Sequence, residues 1–167
     1  MDNLHRELLK IEDLTVDFST RQGMIHAVRG VNFQLNTREI LGIVGESGSG
    51  KSVSMLSVMN LLAENAEVKS GSIRFEGREL STAHLSTKQE KKEHEKMMMG
   101  IRGKEIGMVF QDPMTSLNPL KTIGKQIQEA LEIHQGMKGK TAVSRVYDIL
   151  RDVGISDPER RYKNYPH

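Results

Sequence analysis

The sequence predicts an α/β protein, because apolar segments typical of strands alternate with amphipathic segments typical of helices. An apolar run, a glycine-rich loop and a helical pattern follow one another without interruption over residues 40–62. Further strand-like runs occupy residues 11–18, 25–35 and 71–75. The 167 residues are 37% hydrophobic and 28% charged, which is typical of a globular chain long enough to bury a core.

Charge and cysteine content exclude several classes of function. The chain carries 24 Lys and Arg against 22 Asp and Glu, and a net charge of +2 is too even to indicate a nucleic-acid partner or an anionic membrane surface. With no cysteine there is no disulfide, thiol nucleophile or cysteine-based metal site. No apolar run is long enough to span a membrane, so we expect a cytoplasmic chain that borrows any membrane role from a partner.

The first part of the chain has the pattern of a sheet. Alternation over residues 11–18 places Leu14, Val16 and Phe18 on one face, and residues 21–23 predict a turn into a second extended run over 25–35. The continuous apolar run at residues 40–44 predicts a strand buried on both faces of a parallel sheet.

The middle of the chain continues the alternation of helices and strands. Apolar positions 55, 58, 59 and 62 predict a helix over residues 53–62, and residues 71–75 predict a strand. Residues 86–96 are strongly charged and predict either a solvated helix or a mobile insertion rather than a nucleic-acid arm. The methionines at 97–99 either fill gaps in the core or form an adaptable contact surface for helices of a partner.

The last third is predicted to be one buried strand followed by two helices. Residues 105–110 predict the strand, which a proline at 113 ends. Residues 123–134 and 141–153 have helical periodicity, with Thr141 as a candidate N-cap and Gly154 as a stop.

A phosphate-binding loop is the clearest chemical motif in the sequence. Residues 45–52 match the pattern G-x-x-x-x-G-K-[S/T], and they lie between a predicted buried strand and a predicted helix, as that pattern requires. Such a loop holds the phosphates of a nucleoside triphosphate with main-chain amides and a helix N-terminus, while the lysine contacts phosphate and the hydroxyl ligates Mg²⁺. The candidate residues for ATP and Mg²⁺ are Gly45, Glu46, Ser47, Gly48, Ser49, Gly50, Lys51 and Ser52.

Two loops together resemble those of one family of P-loop proteins. A GTPase is disfavoured because no Asn-Lys-x-Asp guanine-binding motif is present. Residues 108–119 resemble the Q-loop of ABC transporter ATP-binding subunits, above all those of oligopeptide, dipeptide and nickel importers. Residues 42–52 have that branch's form of the phosphate-binding loop, and residues 11–18, 27–33 and 165–167 are also similar.

The resemblance implies a fold and a set of roles. The fold is a P-loop ATPase core with an antiparallel β-subdomain over residues 1–121, followed by the start of a helical subdomain over 122–167. Gln111 falls at the Q-loop glutamine, which contacts Mg²⁺ and water near the γ-phosphate, so Gln111 and Lys51 are the candidate catalytic residues and Ser52 and Gln111 the candidate metal contacts. Phe18 falls at the adenine-stacking aromatic, although the alternation makes it equally a core residue.

The implied function is ATP hydrolysis that drives transport. The resemblance implies an ATPase that energises import of peptides or nickel and lies peripherally at the cytoplasmic face of the membrane. Its partners are membrane subunits, a second ATP-binding subunit and, indirectly, an extracytoplasmic solute-binding protein, with no nucleic acid. Two alternatives stay open: a non-catalytic nucleotide-binding or regulatory module, and a P-loop kinase of small molecules.

Part of the family's machinery is absent from these 167 residues. There are no adjacent glycines for a signature loop, and no Asp-Glu pair for the Walker B strand and its catalytic carboxylate. We therefore expect an incomplete domain that hydrolyses ATP poorly by itself. We also expect the strand before the phosphate-binding loop to lack a neighbour and to leave an apolar edge exposed.

Overall fold

The computed structural model describes residues 6–111 and 116–167. These described residues divide into two compact units, with the division between Ile101 and Arg102. The subdomain boundary expected between residues 121 and 122 lies inside the second unit and stays a prediction. The elements are β1 (Glu7–Thr20), β2 (Gly23–Asn36), α1 (Lys51–Val58), β3 (Ala66–Phe75), β4 (Arg78–Glu79), α2 (Lys88–Ile101), α3 (Ile123–Gln135), α4 (Gly139–Asp152) and α5 (Pro158–Tyr162).

The first unit is built on one antiparallel sheet with the strand order β2-β1-β3-β4. The predicted turn is confirmed, because Thr20 pairs with Gly23 at the end of the β1–β2 hairpin. Leu14 and Val16 are fully buried on the central strand β1, as alternation predicted, whereas Phe18 is half-buried. Strand β3 begins five residues before the predicted run, and β4 was not predicted.

Helix α1 begins directly after the glycine-rich loop and packs on the β1–β2 hairpin. It ends at Val58, earlier than the predicted residue 62, because Asn60 adopts a left-handed backbone with φ of 49°. Asparagine tolerates this conformation better than other residues with a side chain, and it commonly ends helices. Within the helix the buried residues are Ser54, Ser57 and Val58, so of the predicted apolar positions only Val58 is buried there, and Met59 is buried just after the helix.

The charged segment forms a helix, α2, which settles the choice between a helix and a mobile insertion. Its N-terminus has reciprocal caps: the Thr87 hydroxyl accepts a bond from the Glu90 amide, and the Glu90 carboxylate accepts bonds from the amides of Ser86 and Thr87 at 2.9 and 2.8 Å. At the other end Met98 is fully buried and Met99 is exposed. The three methionines thus divide between the core and the surface.

Two predicted strands are wrong for the described structure. Residues 40–44 and 107–110 have no strand conformation, and residue 106 forms only an isolated bridge with Arg102. Ile40 and Val44 are 98% and 94% exposed, and Val109 is 93% exposed. A parallel strand is stabilised by hydrogen bonds to its neighbours and by packing on both faces, and the described part of the chain supplies neither. Apolar residues are exposed here as expected, but they form no strand and therefore no sheet edge.

The second unit contains three helices around a small apolar core. Leu131 of α3 packs with Val146 and Leu150 of α4. The ring of Tyr162 in α5 lies against Gly124, where a Cβ atom would come within 2.1 Å of it. Both predicted helices are confirmed with small shifts in their ends, and α5 was missed because it has only five residues.

The predicted ends of α4 are half correct. The N-cap is Lys138 rather than Thr141, because the helix begins two residues earlier, at Gly139. Gly154 follows the last turn with φ of 76°, so its role as a stop is confirmed.

We predict that Gly71→Ala destabilises the first unit strongly. Gly71 has φ of 97°, and a Cβ atom there would lie 2.6 Å from both the Asp13 carbonyl oxygen and the Leu14 Cα. These are backbone atoms of an irregularity in β1, so they cannot move without shifting the strand. Gly77→Ala is the matched control, since Gly77 has φ of 79° but open space around it.

Gly77→Ala should cost about 1–2 kcal/mol for the left-handed backbone alone, and Gly71→Ala about 1–3 kcal/mol more for overpacking. Chemical denaturation measures both free energies of unfolding. Equal costs for the two variants would contradict the packing of β1 on Gly71.

We predict that acid weakens the N-terminus of α2. Backbone amides of Thr87 and Ser86 that donate to the Glu90 carboxylate hold the pKa of Glu90 at about 2, below its ordinary value. This stabilisation is fully present above the ordinary pKa of glutamate and is lost as pH falls through about 2. A carboxyl titration by NMR checks the value, and Glu90→Gln should remove this part of the pH dependence. Titration of Glu90 at the ordinary glutamate pKa would contradict the cap.

Candidate nucleotide-binding site

The glycine-rich loop is curled, and Lys51 closes it. The Lys51 ammonium donates to the carbonyl oxygens of Gly45 and Glu46 at 2.6 and 2.7 Å, and to the Ser49 hydroxyl at 3.2 Å. One side chain from the end of the motif therefore holds the two residues at its beginning. The Ser49 amide also donates to the Glu46 carbonyl at 3.3 Å, within the same turn.

Glycines permit this curvature at two positions. Gly48 and Gly50 have φ of 80° and 88°, in the left-handed region that residues with a side chain rarely adopt. Gly50 also lies tightly on strand β2, where a Cβ atom would come within 2.7 Å of the Ala27 carbonyl oxygen and 3.2 Å of the Val28 Cγ2. The end of the loop is thus positioned by the antiparallel sheet.

The loop leads directly into the N-terminus of α1. Gly50 is the N-cap and provides no side-chain hydrogen bond, and the first helical amide bond joins Ser54 to the Gly50 carbonyl at 2.9 Å. The amides of the preceding helical residues consequently have no partner within the helix. Uncapped amides and the positive end of the helix dipole together favour a bound anion.

The chemistry of the donors also suits Mg²⁺. The Ser52 side chain is exposed in the first turn of α1, next to the half-buried Lys51. A hydroxyl is an oxygen donor, and Mg²⁺ is usually held by one or two protein groups together with substrate phosphates and water. Among the residues that the structure describes, no group of three His, Cys, Asp or Glu side chains is placed to hold a metal by itself. A phosphate-dependent magnesium site is therefore the type of metal site that suits this loop.

Phe18 lies on the same hairpin that positions the loop. It pairs with Ile25 of β2 and Ala66 of β3, and its half-buried side chain is compatible with both roles considered for it.

A hydrogen-bonded pair beside Phe18, formed by buried Asp17 and exposed His26, was missed by the sequence analysis. Asp17 is buried although alternation placed it on the solvent side, and its carboxylate lies 2.8 Å from Nδ1 of His26 on β2. A register shift between Val16 and Asp17 accounts for the departure from alternation. The pair could have been predicted only from the register of the β1–β2 hairpin, in which Asp17 lies opposite His26.

The candidate residues do not all lie in one unit. The eight loop residues and Phe18 belong to the first unit, and the exposed Gln111 belongs to the second. The rest of the Q-loop interpretation includes residues 112–115, which lie outside the described residues.

Known proteins resemble this chain in sequence and in fold. The model of the ABC transporter family matches residues 28–167. A putative peptide import ATP-binding protein of Brucella melitensis is 47% identical over 160 residues, which are 96% of this chain and 45% of that protein. The oligopeptide transport ATP-binding protein OppD of Bacillus subtilis is 47% identical over 161 residues, which are 96% of this chain and 42% of that protein. The chain thus spans less than half the length of these relatives.

Solved structures agree on the fold. An ATP-binding cassette solved as a dimer with ADP and Pi superposes with a TM-score of 0.72 at 22% identity, over 95% of this chain and 62% of that one.

In the part of the chain that the structure describes, no helix has the length and apolar character needed to cross a membrane. From the matched family model and the shared cassette fold we conclude that this chain belongs to the ABC transporter family.

Proposed function

We propose that this chain is the ATP-binding part of a subunit that energises peptide import. The observation that carries the proposal is the curled loop closed by Lys51 at the N-terminus of α1. This arrangement is suited to the phosphates of ATP, the ligand expected for a member of this family. The names of the relatives, which describe peptide and oligopeptide transport, favour peptides over nickel as the transported solute.

In this proposal Lys51 has two alternating sets of partners. In the described structure its ammonium bonds to carbonyl oxygens of the loop. When ATP binds, the ammonium contacts the β- and γ-phosphates as a point charge, while the loop amides and the N-terminus of α1 bind the remaining oxygens. The loop is already curled, so little backbone ordering is required on binding.

The remaining site residues complete the proposal. Ser52 and Gln111 would hold Mg²⁺, which when bound neutralises charge on the phosphates. A side-chain amide such as that of Gln111 can accept from water and contact a metal, and its loop can act as a hinge between subdomains. Phe18 offers one face of its ring to the adenine base.

The partners follow from the same interpretation. A subunit of this family works with membrane subunits, and we propose that it binds them at the cytoplasmic face of the membrane as a peripheral protein. A second ATP-binding subunit would complete the nucleotide site, and a solute-binding protein outside the cell would deliver the peptide to the membrane subunits. This arrangement needs no nucleic acid.

Hydrolysis requires more than these 167 residues contain. The sequence has no Asp-Glu pair for a Walker B carboxylate and no adjacent glycines for a signature loop. Without a positioned base and a second anchor for Mg²⁺, the attacking water is poorly oriented. Residues 1–167 therefore bind nucleotide but do not turn it over efficiently.

We predict that Lys51→Ala weakens binding of a fluorescent ATP analogue at least about tenfold, because a charged hydrogen bond to phosphate is lost. Lys140→Ala is the control, since this exposed lysine lies in the second unit and should leave the affinity unchanged. Fluorescence titration measures both affinities. Equal affinity of Lys51→Ala and the parent protein would remove Lys51 from the site.

We predict that the purified chain of 167 residues binds ATP with Mg²⁺ and releases phosphate far below ordinary turnover, about 1 per second or more for working enzymes. Steady-state phosphate release, measured beside nucleotide affinity on the same sample, checks the prediction. Release at ordinary turnover would show that the catalytic groups lie within these residues. Phosphoryl transfer to a small acceptor would favour a kinase instead.

A further inference from the structure

Helix α2 buries one face and is linked to other residues of the first unit by two hydrogen bonds. The His94 Nε2 donates to the Leu80 carbonyl oxygen at 3.0 Å, and Asn60 donates to the Glu95 carboxylate at 3.4 Å. His94, Met98 and Ile101 are buried, and the helix has reciprocal caps at its N-terminus. The opposite face of α2 is therefore presented to solvent.

That exposed face carries a row of three lysines, which we call the lysine stripe: Lys88, Lys92 and Lys96. Their spacing of four residues aligns them on one side of the helix over about 12 Å. All three are exposed, and none has a hydrogen bond or an ion pair from its side chain to any residue in the ranges 6–111 and 116–167.

The acidic residues on α2 do not neutralise the lysine stripe through direct contacts. The Glu90 carboxylate caps the helix, the Gln89 amide donates to Glu93, and Glu95 accepts from Asn60. Met99, 67% exposed, follows Lys92 by seven residues and lies on the same side of the helix. The face therefore combines free positive charge with one exposed apolar side chain.

We propose that the lysine stripe and Met99 contact the anionic headgroups of a lipid bilayer. Long lysine stems carry compact charges that can reach a flat negative surface, and each lysine near such a surface strengthens binding about fivefold. Met99 enters the boundary between headgroups and acyl chains, as exposed apolar residues do on interfacial helices.

A bilayer suits this face better than a nucleic acid or an acidic protein. The face has no arginine for bidentate contacts and no aromatic ring on which a base stacks. Its only large apolar side chain on the stripe side is Met99, whereas protein interfaces are usually anchored by several buried aromatic or apolar groups. A row of flexible point charges beside an apolar residue instead matches a diffuse, laterally uniform negative surface.

The attraction is local, because the whole chain has a net charge of only +2. The proposal rests on the proposed function, which brings the chain to the membrane through its partners. A lipid contact of modest strength would then add to that docking and orient α2, since two weak contacts made together reinforce each other.

The experiment is co-sedimentation of the purified chain with vesicles of phosphatidylcholine and phosphatidylglycerol in equal parts, at about 0.1 M salt, where charge interactions extend about 10 Å. The triple variant Lys88→Gln, Lys92→Gln, Lys96→Gln should bind about a hundredfold more weakly, at about fivefold per lysine. The corresponding triple change to arginine should keep the binding of the parent, and Met99→Ser should reduce it by a smaller factor.

A control variant of equal net charge changes three exposed lysines of the second unit to glutamine, namely Lys138, Lys140 and Lys163. This control should bind vesicles like the parent. Equal loss in the control, parent-like binding by the glutamine variant, or equal loss in the arginine variant would each overturn the proposal. The proposal would also be overturned if the parent chain bound a single-stranded oligonucleotide, or if it bound no vesicles.

The same samples separate this proposal from the proposed function. Lys51→Ala should bind vesicles like the parent while losing the ATP analogue, and the glutamine variant of the lysine stripe should keep parent affinity for the analogue. Circular dichroism of each variant reports whether α2 remains folded. If α2 unfolds in the glutamine variant, the arginine variant decides the outcome. A folded arginine variant that binds vesicles supports the proposal, and a folded arginine variant that does not bind them overturns it.

Discussion

The candidate site depends on one interaction, the bonds from the Lys51 ammonium to the carbonyl oxygens of Gly45 and Glu46. Carbonyl groups at the start of the loop face a cation at its end, and these bonds keep the loop curled. Left-handed glycines permit that curvature, and the contact between Gly50 and β2 positions the end of the loop. The geometry of the curled loop therefore comes from short-range bonds and one sheet contact.

The strand before the loop shows what such local bonds cannot provide. Residues 40–44 have the composition of a buried parallel strand, yet they are exposed and make no described sheet. A strand of this type depends on neighbours that are distant in sequence, whereas the loop depends on residues only six positions apart. The antiparallel sheet forms because its three main strands are joined by pairings within residues 7–75.

The charged helix α2 illustrates how a solvated face and a docked face coexist. Its residues at 94, 98 and 101 pack inward, and its lysines point away from that contact. Glu90 accepts bonds in the N-terminal cap and Glu93 accepts from Gln89, so the described contacts do not pair either carboxylate with the lysine stripe. The lysines of one helix side thus stay free of described ion pairs although carboxylates lie elsewhere on the same helix.

The sequence by itself determined the phosphate-binding loop, the β1–β2 hairpin and the helices α2, α3 and α4. These features depend on spacing, turn chemistry and periodicity between near neighbours in sequence. Tertiary structure alone decided the hydrogen bond between Asp17 and His26, the early end of α1 and the failure of residues 40–44 and 105–110 to form strands. Each of these depends on register or on partners distant in sequence, and hydrophobic pattern does not encode whether those partners are present.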